Sequence, residues 1–172
     1  MFTELHWIQG PWPGRLAVAA RPRGGEWLFD EMKSWRSAGL DGVLSLLTAE
    51  EALDLDLQNE AQSCRETGLE FFSLPIADRR VPPMDSGTIH LIDRLDNELS
   101  RGKNIVVHCR QGLGRSGLIA ASLLILRGLI PSEAIERVSR ARHIPIPETP
   151  EQFEWIAGFG AAAHAAGQPS RK

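Results

Sequence analysis

Blocks of periodic hydrophobic residues along the chain predict helices and strands in turn. Apolar residues at three- and four-residue steps predict helices over residues 26–38 and 85–100. Short apolar runs between the helices predict strands at residues 42–47, 70–74 and 104–108. The remaining predicted helices cover residues 49–67, 131–142 and 150–163, with an apolar helix that opens at Ser116.

This alternation favours an α/β fold with a mostly parallel central sheet flanked by helices. In sheets of this kind, ligands bind beyond the carboxyl ends of the strands, where loops lead into helices. The 172 residues fit one domain, predicted over residues 1–166, followed by a flexible tail at residues 167–172.

Composition narrows the range of partners. A hydrophobic fraction of 42% and a net charge of -3 predict a globular protein with no nucleic-acid or membrane partner. Two cysteines without a Cys-x-x-Cys pair, and five scattered histidines, predict neither a disulfide framework nor a metal site. No signal peptide is evident at the first residues, so we expect a cytoplasmic protein, taken as a monomer by default.

One segment carries a pattern that suits phosphate chemistry. It reads His-Cys-Arg-Gln-Gly-Leu-Gly-Arg-Ser-Gly over residues 108–117, between a predicted strand and a predicted helix. Backbone N–H groups of a curled loop and the positive end of a helix converge on an anion, and glycines permit the curl. Arg115 offers two parallel donors for phosphate oxygens, and the same field favours a nucleophilic thiolate at Cys109.

The pattern Cys, five residues, Arg and Ser, preceded by His, resembles the signature of the cysteine-based protein tyrosine phosphatases. Its glycine spacing is most similar to the small dual-specificity branch. The resemblance implies that Cys109 is the nucleophile, that Ser116 assists the leaving sulfur, and that His108 supports the loop. It also implies a metal-free and cofactor-free reaction, with a phosphate-binding loop of Arg110, Gln111, Gly112, Leu113, Gly114 and Arg115.

A second stretch resembles the loop that supplies the general acid in this family. The family pattern Pro-Ile-x-Asp-x-x-x-Pro fits residues 75–82, with Asp78 at the acid position. An acid is required because an alkoxide or phenoxide is a poor leaving group. Asp85 is the weaker candidate, since its place before an apolar helical run suits a helix cap.

A third stretch, Ile-Pro-Glu-Thr-Pro-Glu-Gln at residues 146–152, resembles a family segment whose glutamine positions the hydrolytic water. That assigns the role to Gln152. The same residues form a Thr-x-x-Gln capping box with Pro at the first helical position, so Gln152 is equally well interpreted as a cap. Cys64, within a predicted helix, is interpreted as a core residue, with a redox role as the alternative.

The predicted function is hydrolysis of phosphotyrosine, and possibly phosphoserine and phosphothreonine, in proteins or peptides through a phosphocysteine intermediate. The alternatives are a phosphatase for phosphoinositides or other small esters, a non-catalytic phosphate-binding module, and a sulfur-transferring enzyme. The loop carries only one extra charge, Arg110, which argues against the lipid-directed alternative. The intact Cys109, Arg115 and Asp78 set argues against the other two.

Overall fold

The computed structural model describes residues 1–165 and contains a five-stranded, mostly parallel sheet. The strand order is β1-β2-β5-β3-β4, in which β1 runs antiparallel to β2 and every other pair is parallel. The strands are β1 His6–Ile8, β2 Leu16–Ala19, β3 Gly42–Ser45, β4 Glu70–Ser73 and β5 Ile105–His108. The sheet confirms the predicted α/β class and places β5 at its centre.

Seven α-helices cover the two faces of this sheet within the described residues. They are α1 Leu28–Ser37, α2 Ala49–Asp54, α3 Glu60–Glu66, α4 Ser86–Ser100, α5 Gly114–Leu126, α6 Pro131–Arg142 and α7 Pro150–Ala165. Alternate residues of each central strand face opposite sides, as the two-residue period of a strand requires. In β5, Val107 packs into a larger core with α4 to α7, whereas Val106 packs into a smaller core with α1 and α3.

Most predicted elements are confirmed, with shifted ends. The prediction of one helix over residues 49–67 is wrong, because the chain breaks into α2 and α3 at Asp56, which has a positive φ of 54°. The Asp56 carbonyl accepts a hydrogen bond from Gly25 N at 2.8 Å, so a contact distant in sequence stabilises the break. Sequence reasoning also missed β1 and β2, whose three and four residues are too short to show a period.

The proposed terminal tail at residues 167–172 lies outside the described residues. The single-domain assignment stays a prediction. Asp85 caps α4, as expected, by accepting a hydrogen bond from Thr88 N at 2.9 Å.

A buried carboxylate connects three parts of the larger core. Asp96 of α4 is 1% exposed and accepts hydrogen bonds from Trp12 Nε1 at 2.7 Å and from Arg127 Nε and Nη2 at 2.7 and 2.8 Å. A carboxylate can be buried in this way because charged and polar donors satisfy both of its oxygens.

Removing that carboxylate is expected to destabilise the fold. We predict that Asp96→Ala lowers the free energy of unfolding by about 3 kcal/mol, because it leaves the Arg127 charge and the Trp12 donor without their acceptor. Urea denaturation followed by tryptophan fluorescence measures the change. The matched control is Glu136→Ala, which removes an exposed partner of Arg140 and is expected to cost about 0.5 kcal/mol or less. Equal losses in the two variants would contradict this assignment.

Candidate active site

The phosphate-binding loop predicted from the sequence spans the gap between the central strand β5 and helix α5. The strand ends at His108 and the helix begins at Gly114, so residues 109–113 turn at the carboxyl edge of the sheet. A pocket of about 110 Å³ opens above this turn. Its lining residues are Asp78, Arg79, Cys109, Arg110, Gln111, Arg115 and Glu148.

Two donors surround the sulfur of Cys109, which is 3% exposed. Gly112 N donates to Sγ at 3.3 Å, and Ser116 Oγ lies 3.4 Å from Sγ. Hydrogen bonds from an N–H and a hydroxyl stabilise a negatively charged sulfur more than a neutral one. The structure therefore places the Gly112 N–H and the Ser116 hydroxyl within hydrogen-bond distance of the Cys109 sulfur.

Arg115 is 2% exposed and is held from behind by a carboxylate that sequence reasoning missed. Its Nη1 and Nη2 donate to the two oxygens of Glu51 at 2.7 and 2.9 Å, and Nη1 also donates to the Ile76 carbonyl at 2.7 Å. Burial alone lowers the pKa of the Arg115 guanidinium, but hydrogen bonds to Glu51 and the charges of Cys109 and Asp78 outweigh it, so the pKa is raised. The Arg115 guanidinium is thus permanently charged.

Glu51 reaches this position because it lies in the first turn of helix α2. Thr48 Oγ1 accepts from Glu51 N at 3.2 Å and Glu51 Oε2 accepts from Thr48 N at 3.0 Å, which is a capping box. Burial opposes ionisation of Glu51, yet the Arg115 and Thr48 hydrogen bonds lower its pKa below the ordinary value. The Thr-x-x-Glu spacing signals a helix start in the sequence, but no local signal identifies Arg115 as its partner.

Asp78 lies on the opposite side of the guanidinium, in the loop between β4 and α4. Its Oδ1 accepts from Arg115 Nη2 at 3.1 Å, while about half of its side chain, 54%, is exposed. Asp78 therefore faces both the Arg115 guanidinium and the solvent, which suits a group that exchanges a proton with a substrate. The next residue, Arg79, adopts a positive φ of 62° and lines the same pocket.

His108 lies buried beneath the loop and is not part of the pocket lining. Its Nε2 lies 2.7 Å from Glu60 Oε1, and both side chains are almost fully buried. The ring also lies 6.0 Å from the Trp35 ring, centroid to centroid. This placement agrees with a supporting position, and Glu60 is a second buried carboxylate that local sequence signals do not identify.

Gln152 caps helix α7 with both ends of its amide engaged. Its Oε1 accepts from Glu148 N and Thr149 N at 3.1 and 3.3 Å, and its backbone N donates to Thr149 Oγ1 at 3.2 Å. Its Nε2 donates to the Arg80 carbonyl at 3.2 Å, which joins the acid loop to α7. The predicted capping box is therefore present, and the catalytic role of Gln152 stays a prediction.

One pocket residue, Glu148, escaped the sequence analysis. Glu148 approaches the loop closely, since a Cβ added to Gly114 would lie 2.5 Å from its Oε2. Among the predicted loop residues, Arg110 and Gln111 line the pocket, whereas Leu113 packs its side chain against the larger core.

Cys64 is separated from the pocket by the sheet. It is fully buried in the smaller core, where its Sγ lies 3.4 Å from Met32 Sδ, whereas Cys109 belongs to the larger core. Burial, assisted by Glu60, raises the pKa of the Cys64 thiol to about 12. Such a thiol is unreactive near neutral pH, which agrees with the core role expected for it.

The family model described as "Polymorphic toxin system, DSP-PTPase phosphatase" matches residues 19–129, well over half of the chain. The chain belongs to the DSP-PTPase phosphatase family. The matched stretch includes Glu51, Asp78 and the phosphate-binding loop, whereas Glu148 of the pocket lining lies outside it.

Individual relatives agree with this assignment. A protein of invertebrate iridescent virus 6, named as a tyrosine phosphatase, is 30% identical over 121 residues, which are 66% of this chain and 44% of that protein. Human cyclin-dependent kinase inhibitor 3 is 26% identical over 140 residues, covering 79% of this chain and 66% of its own length. The chain thus spans between about half and two thirds of the length of these relatives.

Solved structures extend the likeness over nearly the whole fold. Kinase-associated phosphatase, in a form whose catalytic-site cysteine is replaced by serine, superposes with a TM-score of 0.87 at 20% identity, covering 96% of this chain and 98% of that one. Tk-PTP in its active form superposes with a TM-score of 0.75 at 25% identity, covering 91% and 96% of the two chains. The protein tyrosine phosphatase fold is thereby shown.

Across residues 1–165, none of the helices combines the length and the apolar character that crossing a membrane would require.

The turn at Gly112 provides a test of the loop geometry. Gly112 has a φ of 71°, and a Cβ there would lie 2.5 Å from the carbonyl carbon and oxygen of Ala19. We predict that Gly112→Ala displaces the loop and lowers kcat/KM on a phosphorylated peptide by about a hundredfold, because catalysis requires positioning within about 1 Å.

The matched control is Gly128→Ala. Gly128 also has a positive φ, 96°, but its absent Cβ has no neighbour within 4 Å. This variant is expected to lose about 1 kcal/mol of stability and no activity. Similar kcat/KM values for the two variants, measured at a temperature where both are folded, would contradict the role of the Gly112 turn.

Proposed function

We propose that the protein is a phosphoprotein phosphatase that hydrolyses phosphotyrosine, and phosphoserine or phosphothreonine where they reach the pocket, through a phosphocysteine intermediate. One observation carries the proposal. The sulfur of Cys109, with N–H and hydroxyl donors upon it, lines the same pocket as the buried Arg115 guanidinium.

The guanidinium of Arg115 has two donor directions for a phosphate group. Nη1 donates to Glu51 and to the Ile76 carbonyl. Nη2 donates to Glu51 on one side and to Asp78 on the other. Among the described residues, nothing accepts from Nε. An incoming dianion would bind Nε and the outer side of Nη2 in a bidentate manner, and it would replace Asp78 on Nη2.

The first chemical step forms a sulfur–phosphorus bond. The thiolate of Cys109 attacks phosphorus in line, and the bond from phosphorus to the ester oxygen breaks. Asp78, displaced from Arg115 by the dianion and protonated from solvent, gives that proton to the departing oxygen. Charge on the transferring oxygens is stabilised by Arg115 and by the loop N–H groups, which supply this stabilisation without reorganisation.

The second step restores the enzyme. Water attacks phosphorus while Asp78 accepts its proton, and the bond from phosphorus to sulfur breaks with both electrons left on sulfur. Ser116, 3.4 Å from that sulfur, donates to the departing thiolate. Gln152 supports this step by holding the acid loop at the Arg80 carbonyl, 3.2 Å away, and direct positioning of the water is the finer role we propose for it.

The charges around the pocket favour a substrate with a single phosphate. Three arginines, at positions 79, 110 and 115, face the carboxylates of Asp78 and Glu148. A nearly balanced lining gives little attraction for a polyphosphorylated headgroup. PTPMT1 in complex with PI(5)P has a similar fold, with a TM-score of 0.74 at 22% identity, so phosphoinositides belong in the test as the alternative substrate class.

The proposed role of Cys109 also favours a particular cellular compartment. A reactive cysteine survives only where thiols are kept reduced, and we therefore propose a cytoplasmic or similarly reducing compartment.

Substrate profiling of the wild type beside Cys109→Ser tests the function. We expect the wild type to release phosphate from phosphotyrosine peptides faster than from inositol phosphates. Cys109→Ser is expected to lose turnover by at least about a thousandfold while it still binds phosphopeptide, since a neutral hydroxyl does not replace a thiolate. The control is Cys64→Ser, whose activity should be that of the wild type. Comparable turnover by Cys109→Ser would exclude the covalent route, and faster release from inositol phosphates would favour the alternative.

The acid role of Asp78 is tested by leaving-group dependence. Asp78→Asn should slow alkyl phosphates, which have poor leaving groups, by about a hundredfold or more, and activated aryl phosphates much less, since general acid catalysis is worth about 10²–10⁴-fold. Steady-state kcat values for the two ester types measure the difference. Asp85→Asn makes the same substitution at the N-cap of α4, where asparagine caps a helix as well as aspartate does, and should affect both esters alike. Equal losses on both esters in Asp78→Asn would assign the proton to another group.

A further inference from the structure

Arg142, at the last turn of α6, contacts the outer side of the phosphate-binding loop. Its Nε donates to the Gly112 carbonyl at 2.7 Å, and its Nη2 donates to the Gln111 carbonyl at 3.3 Å. Its Nη1 contacts His6 Nε2, on the edge strand β1. One guanidinium therefore connects two successive loop carbonyls to an imidazole on the opposite side.

These carbonyls belong to the peptides that present donors to the site. In a trans peptide, the carbonyl of one residue and the N–H of the next point in opposite directions. The Gln111 carbonyl shares its peptide plane with Gly112 N, which donates to Cys109 Sγ at 3.3 Å. The Gly112 carbonyl shares its plane with Leu113 N in the same way. Arg142 thus holds from outside the peptide that stabilises the sulfur inside.

Other loop carbonyls are held by the backbone. Arg21 N donates to the Arg110 carbonyl at 3.2 Å, Leu46 N to the His108 carbonyl at 3.0 Å, and Gly117 N to the Leu113 carbonyl at 3.0 Å. Arg142 supplies the side-chain contribution at the middle of the loop, where Gly112 has a positive φ and no helix or strand restrains it. A substitution of Arg142 therefore removes this contribution and leaves the backbone hydrogen bonds of the loop in place.

We propose that Arg142 is a positioning residue for the phosphate-binding loop, which fixes the peptide between Gln111 and Gly112 so that its N–H faces the Cys109 sulfur. His6 holds the Arg142 guanidinium from the other side by accepting a hydrogen bond from it as a neutral imidazole. Burial and the Arg142 charge lower the pKa of His6, against the opposing effect of Glu4, and so favour that neutral form. The proposal rests on the phosphatase function above, because it concerns the same loop.

The experiment combines two readouts that do not depend on turnover with one that does. Arg142→Met keeps much of the apolar stem and removes the donors, and Arg142→Lys keeps one charged donor. Each variant is compared with wild type in the alkylation rate of Cys109 by iodoacetamide at about pH 6, where the thiolate fraction limits the rate. Protection of Cys109 against this alkylation by inorganic phosphate, and kcat/KM on a phosphotyrosine peptide, are measured in parallel.

We expect Arg142→Met to slow the alkylation of Cys109 about tenfold and to weaken phosphate binding by a similar factor, because a charge-assisted hydrogen bond contributes on the order of that ratio. Arg142→Lys should recover part of both. The matched control is Arg140→Met on the same helix, where Arg140 pairs only with the exposed Glu136 and should leave both readouts unchanged.

Unchanged alkylation and unchanged protection by phosphate in Arg142→Met would overturn the proposal, even if its melting temperature falls, since that outcome describes a purely structural residue. Should Arg142→Met fail to fold, Arg142→Lys decides, because wild-type values for both readouts would then exclude the positioning role. Absence of turnover in the wild type would instead refute the proposed function, while alkylation and its protection by phosphate would still report on Arg142.

Discussion

The bidentate pairing of Arg115 with Glu51 is the interaction on which the rest of the site depends. A guanidinium that is 2% exposed is tolerated because the Glu51 carboxylate and the Ile76 carbonyl satisfy three of its donors. The pairing sets the guanidinium plane, and with it the edge that is left for a phosphate. It also joins α5 to α2 and, through the Ile76 carbonyl, to the acid loop.

This arrangement separates a fixed part of the site from a part that exchanges partners. Glu51 is engaged by its own capping box and by Arg115, so it remains in place whatever the pocket holds. Asp78 is half exposed and makes a single ion pair with Arg115, at 3.1 Å, which a dianion competes for directly. The Arg115 guanidinium is therefore held in place at the cost of burying its charge, whereas Asp78 exchanges this contact for the substrate in the mechanism proposed above.

In the phosphate-binding loop, the carbonyl and the N–H group of each peptide point to opposite sides. Carbonyls are satisfied on the outer side by backbone N–H groups and by Arg142, and this orientation directs N–H groups such as that of Gly112 to the sulfur. Beneath the loop, His108 and Glu60 form a second buried pair, 2.7 Å apart, next to the smaller core. Electrostatic preorganisation of this kind stabilises charge in the transition state, because donors that are already held in place do not have to reorient during the reaction.

Local sequence determined the elements with strong periods, such as α4 and α6, and the contiguous loop from Cys109 to Ser116, because both follow from residues close together in the chain. The Asp78 loop was also evident, from its family pattern. Tertiary structure alone decided the partners of the buried charges, Glu51 for Arg115 and Glu60 for His108, since 64 and 48 residues separate the members of these pairs. It also decided the short strands β1 and β2, which exist through pairing with β5 and its neighbours rather than through any pattern of their own.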